Sequence, residues 1–161
     1  MNPYKQPVSV LVVLHTVKLD VLLLERAAHP GYWQSVTGSR EGQEALAETA
    51  RREVFEETGF DTTLYELNDW QLSHRYEIFP QWRHRYAPGI TENAEHVFSL
   101  ALPKCLAPRI ASAEHRDWVW MPWQAAAARC FSWSNRDAIL ALPQRQARKD
   151  PTLDSHPSWN P

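Results

Sequence analysis

One segment, Gly38 to Phe60, limits most strongly how this chain can fold. Leucine, alanine and valine recur there at spacings of three and four residues from Glu44 to Thr58, which predicts an amphipathic helix. Gly59 follows the last helical residue, where a left-handed turn commonly ends a helix. The segment therefore predicts one helix whose apolar face packs against the rest of the domain.

Three glutamates lie beside the apolar face of this predicted helix. At about 100° per residue, Glu53, Glu56 and Glu57 fall within an arc of roughly 100°. Glu53 and Glu57 are like charges four residues apart, which costs about 0.2–0.5 kcal/mol, and the nearby helix C-terminus favours cations instead. The cluster therefore predicts a positive charge supplied from outside, and Mg²⁺ suits carboxylates that act together with substrate phosphates. A solvated acidic face is the alternative interpretation.

The spacing of the whole segment matches a known motif, the Nudix box. Gly38 is followed after five residues by Glu44, and after seven more by the run REVFEETGF at 52–60. The chain therefore resembles the Nudix hydrolase family at every defining position of that motif. The resemblance implies an α/β/α sandwich with a mixed β-sheet between helices. It also implies hydrolysis of a pyrophosphate linkage with a divalent metal ion.

The family resemblance implies roles for the acidic residues. Glu53, Glu57 and Glu114 are the expected ligands of Mg²⁺, with Mn²⁺ as an alternative ion. Glu56 or Glu114 is the expected acceptor of a proton from the attacking water, and with Glu53 and Glu57 these complete the predicted catalytic set. Glu114 taken alone is an ordinary loop acid. His115, with an ordinary pKa near 6.5, is the competing acid–base candidate.

Cationic and aromatic side chains supply candidates for substrate binding. Arg26 follows closely after a predicted strand, Lys5 precedes the first strand, and Arg75 lies in a later strand, so each is a candidate to neutralise a polyphosphate. Each also fits an ordinary surface charge. Tyr76 and Phe79 are candidates to stack on a flat heterocycle, a contact worth about 1–3 kcal/mol per base. Both also fit ordinary strand packing.

A narrower resemblance extends over residues 5–142. The segments WQSVTGS at 33–39, HRYAPG at 84–89 and SWSNR at 132–136 are similar to those of bacterial Nudix enzymes that act on dihydroneopterin triphosphate. This resemblance implies removal of pyrophosphate to leave dihydroneopterin monophosphate, in folate biosynthesis. It also implies substrate contacts at eight positions, namely Lys5, Arg26, Thr37, Tyr76, Glu77, Ile78, Phe79 and Ser132.

Two alternative functions stay open from sequence. A (deoxy)nucleoside triphosphate pyrophosphohydrolase that removes unwanted nucleotides would use the same fold, because pterins and purines are both flat, hydrogen-bonding bicycles. A Nudix-fold binding module without catalysis is the second alternative, although the intact motif argues against it. The expected partner is a small-molecule pterin or nucleoside triphosphate, not nucleic acid or a membrane. The sequence does not determine the oligomeric state.

Composition limits the class of protein and its organisation. The 161 residues are 43% hydrophobic and 22% charged with a net charge of −2, which is typical of one globular domain and gives no general basic field for nucleic acid. Cys105 and Cys130 make no disulfide framework, and no signal-peptide pattern precedes the first strand, so a cytoplasmic location is expected. Residues 1–142 are the predicted Nudix domain, and the Pro-rich, polar stretch 143–161 is a predicted tail.

The remaining pattern predicts a strand-rich domain with two further helices. Strands are expected at 8–17, 21–24, 33–37, 74–79, 82–86, 95–102 and 115–120, with the first two paired as a hairpin. Helices are expected at 123–129, opened by Pro122, and at 134–142, capped by Ser134.

Overall fold

A seven-stranded mixed β-sheet lies between helices in the computed structural model, which describes residues 3–149. The strands are β1 (Val8–Thr16), β2 (Asp20–Arg26), β3 (Trp33–Gln34), β4 (Val36–Ser39), β5 (Glu66–Glu77), β6 (Glu92–Leu102) and β7 (His115–Pro122). The helices are α1 (Leu46–Thr58), α2 (Trp123–Arg129) and α3 (Trp133–Lys149), with short 3₁₀ helices at Thr62–Leu64 and Pro80–Arg85. The expected α/β fold is confirmed. Within this part of the chain, no helix is long and apolar enough to cross a membrane.

Strand β1 is paired on both sides, and its partners change along its length. It runs parallel to β6 over all 9 residues and antiparallel to β4, where Gly38 lies opposite Val10. The expected hairpin with β2 is confirmed but short, with His15 opposite Val21. β2 then pairs with β3 and β7 instead. This divergence leaves the first half of that edge of β1 to β4, which packs against helix α1.

Both faces of the sheet are buried, which explains why β1 is a continuous apolar run. Val10 and Val12 face one side and pack with Val54 of α1. Leu11, between them, faces the other side and packs with Ile139 of α3. The strand alternation therefore places α1 on one face of the sheet and α2 and α3 on the opposite face.

Of the two strands predicted at 74–79 and 82–86, the second is wrong. The structure has one longer strand, β5, followed by the 3₁₀ helix Pro80–Arg85. Pro80 begins this helix, where a missing N–H removes no helical hydrogen bond. The Arg83 side chain donates a hydrogen bond to a backbone carbonyl at 3.0 Å, which also supports the helical turn.

The predicted strand 33–37 is divided into β3 and β4 because Ser35 makes contacts outside the sheet. The Asn135 side chain accepts a hydrogen bond from the Ser35 N–H at 2.7 Å and donates one to the Ser35 hydroxyl at 3.0 Å. Both residues are buried. The pair fixes the first turn of α3 against the junction of β3 and β4.

Helix α1 begins at Leu46 and not at Glu44. The Glu44 carboxylate accepts the N–H of Glu41 at 2.9 Å, so Glu44 stabilises the preceding loop. The predicted end is confirmed, since Gly59 follows the helix with a φ of 77° and its N–H bonds to the Phe55 carbonyl.

Helix α3 is longer than the sequence predicts. Its first turn is capped by the hydroxyl of Ser132, which accepts a backbone N–H at 3.3 Å, and not by Ser134. The helix continues through Pro143 to Lys149, although the sequence predicts a tail from that proline onward. Residues 150–161 lie outside the described residues. The boundary between domain and tail stays a prediction.

We expect Asn135→Ala to destabilise the fold. The substitution leaves two buried polar groups of Ser35 without a partner, each at a cost of about 1–3 kcal/mol. The free energy of unfolding, measured by urea denaturation, should fall by about 2–4 kcal/mol. Arg136→Ala is the matched control, since the Arg136 side chain is half exposed, and it should change stability by less than about 0.5 kcal/mol. Equal values for the two variants would contradict this role of Asn135.

Candidate active site

Glu57 is buried near the C-terminus of helix α1 without a hydrogen-bond partner. Helical spacing places it on the same face as Ala50 and Val54, which pack against the sheet. The residue is 1% exposed, and neither carboxylate oxygen accepts a hydrogen bond from a described residue. Burial, followed by the charge of Glu53, raises the pKa of this carboxyl well above its usual value. A cation beside it would stabilise the ionised form.

Glu114 and His115 bring two more potential ligand atoms to Glu57. Glu114 directly precedes β7, as predicted, and one atom from each of the three side chains lies within 4.8 Å of the others. His115 Nε2 lies 3.5 Å from Glu57 Oε1, and burial together with Arg26 lowers the pKa of His115 to about 4. The imidazole is therefore neutral near pH 7 and does not balance the charge of Glu57. Such oxygen and nitrogen donors suit a divalent cation.

Glu53, one turn before Glu57, lies against strand β4. A Cβ atom at Gly38 would overlap the Glu53 carboxyl group, so glycine at this position makes room for the carboxylate. Burial raises the pKa of Glu53, while Arg52 Nη1 donates a hydrogen bond to its Oε1 at 2.9 Å. Of the three predicted metal ligands, Glu57 and Glu114 therefore lie in one close cluster. Glu53 lies beside this cluster and is paired with the Arg52 guanidinium.

Arg52 provides positive charge from within α1. Its guanidinium donates hydrogen bonds to Glu44 at 2.7 and 3.0 Å and to Glu56 at 3.3 Å. It also reaches the Ser39 carbonyl at 3.0 Å. The hydrogen bond from Arg52 lowers the pKa of Glu44 to about 2. An external cation is therefore not required to balance Glu56, whereas Glu57 still lacks a partner.

Three cationic side chains, Lys5, Arg26 and Arg85, lie beside these carboxylates. The backbone N–H of Lys5 donates a hydrogen bond to the Arg85 carbonyl at 2.9 Å, which joins the N-terminal segment to the 3₁₀ helix. Burial, and then the charge of Arg85, lower the pKa of both Lys5 and Arg26. An anion bound among the three would relieve this repulsion. Arg75, proposed from sequence, is instead exposed on β5 and outside the site.

Two adjoining cavities occupy this end of the sheet. The carboxylate cavity, of about 960 Å³, is lined by the acidic cluster and the three cations, namely Glu53, Glu57, Glu114, His115, Lys5, Arg26 and Arg85. The aromatic cavity, of about 320 Å³, is lined by all eight positions predicted to contact substrate, namely Lys5, Arg26, Thr37, Tyr76, Glu77, Ile78, Phe79 and Ser132. The three cations line both cavities. Glu56 lines neither, and its side chain is half exposed.

Aromatic rings form part of the wall of the aromatic cavity. The ring centroids of Trp82 and Phe131 are 6.5 Å apart, and that of Phe79 is 5.2 Å from that of Trp82. The guanidinium of Arg26 lies over Trp82, 4.9 Å from the ring centroid. The Tyr76 hydroxyl, in contrast, takes part in a hydrogen bond at 2.9 Å. Sequence reasoning selects Phe79 and Tyr76 but misses Trp82 and Phe131.

The two cavities together suit a flat heterocycle that carries a chain of phosphates. The aromatic rings offer faces on which a heterocycle can stack. The shared cations lie at the junction, where they can pair with phosphate oxygens. The carboxylates beyond them can hold a divalent metal ion against the phosphates. The role of each residue stays a prediction.

Comparison with known proteins gives concordant matches. The family model described as NUDIX domain matches residues 5–142. The dihydroneopterin triphosphate diphosphatase of Escherichia coli (strain K12) is 47% identical over 139 residues, which cover 84% of this chain and 91% of the relative. The enzyme of the same name from Haemophilus influenzae is 39% identical over 145 residues, which cover 86% of this chain and 89% of the relative. The solved E. coli dihydroneopterin triphosphate pyrophosphohydrolase superposes with a TM-score of 0.80 at 45% identity, covering 86% of this chain and 95% of that one.

We expect Glu57→Gln to lower kcat/KM by at least about a hundredfold, or about 2.7 kcal/mol, because the amide removes a charged ligand from the proposed cation. Steady-state assays with saturating Mg²⁺ measure this effect. Glu48→Gln makes the same chemical change at an exposed position of α1 and should leave kcat/KM within about twofold. Near-normal turnover in a well-folded Glu57→Gln variant would remove Glu57 from the site.

Proposed function

The chain belongs to the Nudix hydrolase family, and from that premise we propose that it hydrolyses dihydroneopterin triphosphate. The products are dihydroneopterin monophosphate and pyrophosphate, and the step belongs to folate biosynthesis. Curated relatives that carry the name of this activity match the chain over 91% and 89% of their own length. A cytoplasmic location stays a prediction.

One observation carries this proposal: the three cations lie where the two cavities meet. A triphosphate bound at that junction would place its heterocycle in the aromatic cavity and its phosphate chain toward Glu57 and Glu114. The cavity volume of about 320 Å³ is of the size that small-molecule sites commonly have. The arrangement therefore supports a substrate with a flat ring at one end and phosphates at the other.

The acidic residues fit the divalent metal ion that the family generally requires. Glu57 presents two buried oxygens that accept no hydrogen bond from the described residues, and a carboxylate oxygen of Glu114 lies within 4.8 Å of potential ligand atoms of Glu57 and His115. Glu53, Glu57 and Glu114 would hold Mg²⁺, or Mn²⁺ in its place, since carboxylate oxygens are the ligands that such hard cations prefer. When bound, the ion would polarise phosphoryl oxygens and lower the pKa of a coordinated water.

The chain's own residues would position the phosphates and accept the proton. Lys5, Arg26 and Arg85 would neutralise the phosphate chain and hold it in line with the carboxylates. Glu114 is the preferred acceptor of the proton from the attacking water, because it lines the carboxylate cavity. Glu56, the alternative acceptor, is half exposed and pairs with Arg52.

We expect dihydroneopterin triphosphate to exceed dATP in kcat/KM by at least tenfold, or about 1.4 kcal/mol of differential transition-state binding. Steady-state assays with both substrates at saturating Mg²⁺ measure the ratio. Removal of metal with a chelator should abolish turnover of both, and Mg²⁺ should restore it. A ratio of one or below would favour the nucleotide alternative, and full activity without metal would contradict the proposed mechanism.

A further inference from the structure

Glu95 is a buried carboxylate in the aromatic cavity that the proposed mechanism does not use. It lies on β6 and lines the cavity opposite the first turn of α3. The residue is 4% exposed, and its Oε1 accepts no hydrogen bond from any described residue. Burial raises the pKa of this carboxyl to about 7. The described part of the chain therefore holds a second carboxylate with an oxygen that lacks a partner, apart from the cluster around Glu57.

Asn93, two residues earlier on β6, places another acceptor on the same face of the sheet. Its amide nitrogen donates hydrogen bonds to the Ser9 hydroxyl at 2.7 Å and to the Tyr76 hydroxyl at 2.9 Å. These two bonds use both of its N–H groups and leave Oδ1 buried without a donor. Asn93 and Glu95 thus offer a ligand a pair of acceptors.

The neighbours of Glu95 do not supply the missing donor. His74 Nδ1 lies 4.0 Å from Glu95 Oε1, which is beyond hydrogen-bonding distance. The His74 ring packs edge-on against Trp133, with centroids 5.3 Å apart. A hydrogen bond with Ser134 offsets part of the rise that burial causes in the pKa of the Glu95 carboxyl group. Among the described residues, one carboxylate oxygen is therefore left for a ligand.

The missing donors are present on one edge of a 2-amino-4-oxopyrimidine ring, which dihydroneopterin and guanine share. That edge carries a ring N–H and an exocyclic amino group side by side, which matches the two acceptor oxygens, Glu95 Oε1 and Asn93 Oδ1. We propose, on the basis of the proposed function, that Glu95 assisted by Asn93 binds this donor edge and determines which heterocycle is accepted. Hypoxanthine keeps the ring N–H but lacks the amino group, and adenine lacks both donors there.

The test compares substrates that differ at this edge, in wild type and in Glu95→Gln. The substrates are dihydroneopterin triphosphate, dGTP, dITP and dATP, each with saturating Mg²⁺. The glutamine keeps the size of the side chain but replaces one acceptor with a donor. Glu66→Gln, at an exposed position on the neighbouring strand β5, is the matched control. Thermal melting of each variant reports whether it is folded.

Wild type should turn over dGTP with a kcat/KM at least about fivefold above that of dITP, since the two differ only in the amino group. In Glu95→Gln the kcat/KM values for dGTP and dITP should differ by less than about twofold. The same variant should lose at least about tenfold in kcat/KM for dihydroneopterin triphosphate, while dITP and dATP change by less than about threefold. Glu66→Gln should behave as wild type.

The outcomes separate this inference from the proposed function. A wild-type ratio of dGTP to dITP near one overturns the role of Glu95 without needing any variant. Equal losses for all substrates in Glu95→Gln, or no loss, also overturn it, because a structural role does not discriminate between heterocycles. If dGTP exceeds dihydroneopterin triphosphate in wild type, the proposed substrate is wrong, yet the dGTP and dITP comparison still decides for or against Glu95. Turnover of none of the four would overturn both.

Discussion

The burial of the Glu57 carboxylate without a hydrogen-bond partner is the constraint on which the rest of the site depends. An unpaired buried polar group costs about 1–3 kcal/mol, and a charged one costs more. Helix α1 keeps the residue there because Ala50 and Val54, on the same face, pack against β1 and fix the rotation of the helix. A fold that holds a carboxylate in this way gains most from a cation that enters with the substrate.

The local charges are distributed so that this carboxylate stays available. Arg52 pairs with Glu44, Glu53 and Glu56. No described residue donates a hydrogen bond to Glu57, and His115 beside it is neutral near pH 7. Across the cavity, burial and then the charge of Arg85 lower the pKa of Lys5 and Arg26. Separated carboxylates and cations of this kind cost free energy by themselves and become favourable when a metal ion and phosphates bind between them.

The sequence predicts the helix and its acidic residues because helical periodicity acts over a short range. Gly38 and Glu53 are linked by motif spacing, and the structure supplies the reason, a close approach that a Cβ atom would prevent. Arg85 could not be predicted, because its segment has the composition of a strand and Pro80 turns it into a 3₁₀ helix. In the sequence, Glu95 has the pattern of a polar, exposed position in an alternating strand. Only the packing of α3 against the sheet shows that it is buried.

The most direct test of this account is the stability of wild type and Glu57→Gln at pH 8, each with chelator and with saturating Mg²⁺. The raised pKa means that Glu57 weakens the metal-free fold as pH rises above the usual range of a carboxyl group. Without metal, Glu57→Gln should therefore unfold with a free energy at least about 1 kcal/mol above wild type. With Mg²⁺ the order should reverse, since an ion at about 100 times its Kd stabilises its binding partner by about 2.7 kcal/mol. The same difference between the two proteins under both conditions would contradict the claim that Glu57 is kept unpaired for a cation.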